Sequence, residues 1–160
     1  MARAVPLFAA ALVVLSLAGF AGATSPTHTV IQLPGETFVD FLTCPTFGVS
    51  GTFDSRLTLT TFYDTAGNVT GMTGRVHYTG YLFNTSDPSR RVPGDGNFTV
   101  FFDAQGNVIS QVGVDRHATV PGVGIVDLDA GRIVLGPFTL NGFHDEITGI
   151  APAVLCAALS

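Results

Sequence analysis

Between Phe47 and Tyr63 the chain alternates. Phe47, Val49, Gly51, Phe53, Leu57, Leu59 and Tyr63 hold odd positions, and Gly48, Ser50, Thr52, Asp54, Arg56, Thr58 and Thr60 hold even ones. A helix would scatter those apolar residues around its axis. A strand sends successive side chains to opposite faces, so a period of two prescribes β-structure with one buried and one wetted side. The run is long for a single strand, and a bend near Ser55 would divide it in two.

The pattern continues with interruptions. Asp64-Thr65-Ala66-Gly67-Asn68 is a turn cluster, with a glycine able to take positive φ. Beyond it Met72, Val76, Tyr78 and Leu82 put the apolar set on even positions. Simple pairing of Tyr63 with Val69 would leave the two apolar sets on opposite faces, so one extra residue is needed, and a bulge at Gly71 supplies it. Ser86–Gly96, with Pro88, Pro93 and the pair Arg90-Arg91, reads as a long polar loop. Phe98, Val100 and Phe102 then alternate into a second turn, Asp103–Asn107, and Val108, Val112, Val114, Ala118 and Val120 continue beyond it. The segments FYDTAGNV (62–69) and FFDAQGNV (101–108) are near-copies, so the two hairpins form an internal repeat, short of the three units of a solenoid. Asp129-Ala130-Gly131 reads as a tight turn between strands at 122–128 and 131–135; Thr27–Leu33 and Phe38–Thr43 read as further strands, and Pro152 opens a short helix through Leu159. The pattern fades after Gly136-Pro137.

Seven to nine antiparallel strands with short turns define an all-β domain. A single up-and-down β-barrel is preferred to a sandwich, because closure removes adhesive strand edges and the bulge bends a sheet toward it.

The two ends of the chain point to export. Arg3, an apolar run from Ala4 to Phe20 and the small residues Ala21-Gly22-Ala23 have the form of a cleaved signal peptide spanning residues 1–23, which leaves 24–160 as one secreted domain with no integral membrane segment. Cys44 and Cys156 are the two cysteines of the chain. In an oxidising compartment such a pair forms a disulfide, and the chain-entropy argument assigns a loop of this size about 4–5 kcal/mol. There is no lysine, and the net charge of −5 has no basic stripe set against it, which argues against nucleic-acid binding.

The segments HYTGYLFN, VDLDAGRIVL and VLCAALS resemble a group of uncharacterised secreted proteins of actinobacteria over most of the mature chain. In its repeated hairpins the chain is also loosely similar to calycin and allene-oxide-cyclase-like barrels. That resemblance implies a barrel and carries over no functional residue.

Candidate chemistry is sparse, and neither a catalytic nor a metal-binding set is assigned. Arg116 shares the parity of Val112, Val114 and Ala118, so it could stand inside the barrel as an anion or carboxylate clamp. The plainer reading, preferred here, is that the alternation lapses and Arg116 emerges at the rim. Arg116, Tyr78, Phe53 and Phe98 are the candidate ligand-binding residues. Asp115 and His117 fall on the opposite face, as does His77 on its own strand, and read as surface polar groups. His144-Asp145-Glu146 reads as a polar loop, since adjacent residues diverge and cannot aim at one ion. Asp127–Gly131 has the opening of a calcium loop but lacks its later ligands, so a hairpin turn accounts for it equally well. No G-x-S-x-G elbow and no phosphate-cradling glycine loop is present. The expectation is a non-enzymatic secreted barrel that needs no cofactor and takes a small apolar or amphiphilic molecule. A barrel isomerase or cyclase and a cell-surface interaction module are the alternatives.

Overall fold

A computed structural model describes residues 25–144 and 149–160. The leader read at 1–23, and Asp145 and Glu146, lie outside the described residues.

Seven antiparallel strands form one sheet in chain order: β1 (Thr27–Thr43), β2 (Gly48–Tyr63), β3 (Val69–Asn84), β4 (Asp87–Phe102), β5 (Val108–Val120), β6 (Gly124–Leu135) and β7 (Phe138–His144). A short helix, α1 (Ala153–Ala158), follows. From Gly48 onward the alternating run at 47–63 is the single strand β2. The expected bulge is present: Tyr63 pairs with Val69 and Phe62 with Gly71, which leaves Thr70 as the extra residue beside Gly71. The two N-terminal segments are one strand, β1, with register shifts between Leu33 and Glu36 and between Phe38 and Leu42. Asp40 takes φ 49° within the second shift, where Ser50 Oγ accepts its backbone N–H and Thr85 Oγ1 donates to its carboxylate.

Two expectations are corrected. Residues 86–96 are not a loop: β4 begins at Asp87, and Leu82, Gly80 and Tyr78 pair with Val92, Gly94 and Gly96. The prolines and charges of this stretch mask an alternation in which Val92, Gly94, Gly96 and Phe98 are buried. Asp129-Ala130-Gly131 is not a turn but the middle of β6, paired on both sides, with β7 as a strand beyond it. Asp127 and Asp129 therefore share the face of Gly131 and Ile133.

The sheet is strongly curled. Arg116 on β5 lies 5.3 Å from the ring centre of Phe41 on β1. In a flat sheet four strand steps of about 4.8 Å would separate those strands by about 19 Å. Glycines permit the bend: Gly113, Gly131 and Gly142 pair in a row across β5, β6 and β7 with φ of 134°, 149° and 127°, and a Cβ on any of them would stand within 2.6 Å of a neighbouring strand's backbone. Among the described residues β1 and β7 do not pair, so hydrogen bonding does not run around a full circle. At one end the chain after β7 completes the curl instead. Thr43 N–H donates to Gly149 O and Ala151 N–H donates to Thr43 O.

That end is sealed by α1. The Cys44–Cys156 disulfide ties the helix to the residue directly after β1, Asn84 Nδ2 donates to Leu159 O from the end of β3, and the helix packs on β4 and β6. Leu42, Val49, Leu82, Leu155 and Leu159 are buried to 1 % exposure or less and form the centre of the core. Among the described residues no helix is long and apolar enough to cross a membrane.

Candidate functional site: the concave face

Register divides the sheet into two faces. Leu57 stands opposite Ile31 and Val76, and Val76 stands opposite Phe98, so these residues share the concave side. Three zones follow one another along this side.

The first is the sealed core under α1. The second is a polar layer. Phe53 and Tyr78 meet edge to face with ring centres 4.7 Å apart, and Tyr78 lies across Gly96, where a Cβ would come within 2.4 Å of the ring. Tyr78 Oη donates to Asp115 O. Burial, reinforced by the Asp115 carboxylate, pushes the phenol far above its ordinary range. Arg116 is buried; its Nε donates to Asp127 Oδ2 at 2.6 Å and its Nη2 stands 4.0 Å from Asp129 Oδ2. Asp129 is also 2.7 Å from His144 Nδ1, with both side chains almost fully covered. Gln111 Nε2 donates to Asp115 Oδ1, and burial raises the Asp115 carboxyl above its ordinary value.

Arg116 is thus interior, against the preferred rim reading, and the reason is a bulge. Between Val114 and Arg116 the register to β6 slips, as it does to β4 between Asp95 and Asn97. The slip turns both Asp115 and Arg116 inward and leaves Val112 outward at 40 % exposure. Asp115 and His117 therefore do not share a face. His117 lies outside, 3.0 Å from Asp95 of β4, and His77 is exposed. The carboxylates that a guanidinium clamp would seek are supplied by the chain itself, from Asp127 and Asp129. Their i, i+2 spacing on the parity of Ile133 marks one strand face once the segment is read as β rather than as a turn. His144 closes β7 rather than standing in a loop. Among the described residues no three His, Cys, Asp or Glu side chains converge to hold a metal ion.

Phe53, Tyr78, Phe98 and Arg116 are all buried in this interior. They form a packed floor. The third zone, toward the hairpin turns away from α1, is different. Here the concave face is apolar and not fully covered: Leu57, Leu59, Met72, Phe102 and Ile133 are half-buried, and Ile31 and Leu140 stand 38 % and 41 % exposed. Leu57 and Phe102 both close over Gly74, which brings β2 and β4 together above β3. Two open grooves mark the described surface. One, of about 260 Å³, straddles the rim of this zone between Phe62, Met72, Phe101 and Phe102; the other, of about 400 Å³, lies on the convex side at Ile109, Val112 and Arg132.

Comparison with known protein families, with curated proteins and with solved structures finds no match to this chain.

Proposed function

We propose that the protein is an exported binding protein whose open concave trough seats a small apolar or amphiphilic molecule. The supporting observation is the half-covered apolar surface formed by Leu57, Leu59, Met72, Phe102 and Ile133. A strand face that needed only a core would bury such residues, as the helix end of the same sheet buries Leu82 and Val49 completely. An apolar ligand would complete the trough and gain about 25 cal/mol for each Å² it withdraws from water. The polar layer beneath gives that ligand an oriented floor, in keeping with sites that are mostly apolar with a few placed polar groups.

Export is supported by the leader-like residues 1–23 and by the disulfide, which belongs to oxidising compartments. The mature product should begin at Thr24, which intact-mass measurement of secreted material reads directly.

Binding is tested with N-phenyl-1-naphthylamine, an uncharged probe that brightens in apolar surroundings. Saturable enhancement is expected with the full chain, weakened about tenfold or more in Leu59→Glu, because a carboxylate in the trough must be desolvated by the probe. Absence of saturation, or wild-type affinity in Leu59→Glu, overturns the reading.

A further inference from the structure

Among the described residues, Glu36 is a concave-face carboxylate that takes no part in the ion pairs of the polar layer. It pairs in register with Phe53, while Leu33 pairs with Ser55 and Phe38 with Gly51. Since partners opposite one another in an antiparallel pair project to one side, Leu33, Glu36 and Phe38 all stand on the concave face. The register shift after Leu33 sets Pro34 and Gly35 together opposite Asp54, one residue in excess, and this brings Glu36 inward in place of its neighbours. Along β1 it falls between Ile31 and Leu33, at the open trough, and Phe38, which packs on the sealed core. It therefore marks the junction of trough and floor.

Its Oε2 is withdrawn from solvent and has no hydrogen-bond partner. An acceptor left in that state is costly, and a carboxylate oxygen more so than a neutral one. The other concave carboxylates are answered within the chain: Asp127 by Arg116, Asp129 by His144, and Asp115 by Gln111. Among the described residues, Glu36, Asp115, Asp127 and Asp129 share this side with Arg116 and His144, so the floor carries an excess of negative charge. A carboxylate-headed ligand would meet repulsion there. A cationic head meets attraction and brings the donors that Oε2 lacks, three in the case of an ammonium group.

We infer that Glu36 receives the head group of the bound molecule, and that the trough selects amphiphiles with a cationic, ammonium-type head over fatty carboxylates. This rests on the trough being the ligand seat, as proposed above.

The test displaces N-phenyl-1-naphthylamine from the full chain at neutral pH and 0.15 M salt, with dodecylamine and with sodium dodecanoate, each below its micellar concentration. Dodecylamine should displace the probe at about one-tenth the concentration that dodecanoate requires, the factor expected for one charge-assisted hydrogen bond. In Glu36→Gln the two should agree within about threefold, because the neutral amide keeps the shape and loses the charge. Dodecanoate competing as well as dodecylamine on the wild-type chain overturns the inference without any variant, and leaves the trough standing if both displace the probe. A preference that survives in Glu36→Gln overturns it too, by assigning the selectivity to general surface charge. A probe that never binds removes the trough and the inference together.

Discussion

Arg116 is held on the inner side of the curled sheet by two carboxylates of β6, Asp127 and Asp129. Its interior position is legible from Val112, Val114 and Ala118 only by accident, since the bulge beside it turns Val112 outward and Asp115 inward. Its partners come from a strand eleven or more residues away, so no local pattern announces them. Because Asp127 is among the most buried side chains, Arg116→Met should cost about 3–5 kcal/mol in chemical denaturation, the penalty for stranding buried carboxylates. Gly96→Ala should cost about 1–3 kcal/mol by forcing the Tyr78 ring off its seat, with the same measurement deciding. Asp115 makes a pH prediction. Burial raises its folded-state pKa above the ordinary 3.8, so the folded protein holds its proton more tightly than the unfolded chain does. Stability from this group is present in acid and is lost as pH rises above its unfolded value. The denaturation midpoint of Asp115→Asn, relative to wild type, should therefore be more favourable at pH 7 than at pH 3.5; equal differences at both would refute the assignment.

At the scale of elements, the repeated hairpins were the most readable part of the chain. The two turns match atom for atom: Asp64 Oδ1 accepts the N–H groups of Ala66 and Asn68, and Asp103 Oδ1 those of Gln105 and Asn107, while the Asn side chains reach the second oxygen at 2.9 Å in both. Those bonds, the Asn side chain's first, hold both carboxyls below the ordinary range. Their contribution is full above the unfolded value of 3.8 and fades as pH falls through the lower folded value. Asp64→Ala and Asp103→Ala should thus produce equal small losses of thermal stability at pH 7, both shrinking toward pH 2. Less readable were β4 and β6, for opposite reasons. In β4, Pro88, Pro93 and the charged residues look like loop chemistry, yet the alternate positions are buried. In β6, Asp129-Ala130-Gly131 has turn chemistry, yet Gly131 serves the row of glycines that bends the sheet and Asp129 serves a buried ion pair. Turn-forming residues were used here for curvature and for charge, and composition alone does not separate these uses from a true turn.

For the whole molecule, the disulfide is the fastening on which the sealed end depends, since it joins α1 to Cys44, the residue directly after β1, across a sequence separation of 112. Replacing Cys44 and Cys156 by Ala should lower unfolding stability by about 4 kcal/mol, measured against the oxidised chain, and should leave the hairpin turns intact by nuclear magnetic resonance. The division of information follows from the range of the interactions. Period-two alternation, paired turn motifs and a lone cysteine pair are written in neighbouring residues or in residue type, so the sequence by itself determined an all-β meander, its repeated hairpins, the phase-correcting bulge and the disulfide. Sheet curvature, the inward turn of Asp115 and Arg116, the company of Asp127, Asp129 and His144, and the isolation of Glu36 depend on which distant strands face one another. Those contacts exist only after the sheet has curled, because a bulge or glycine row acts by redirecting side chains toward partners that the local chain does not contain.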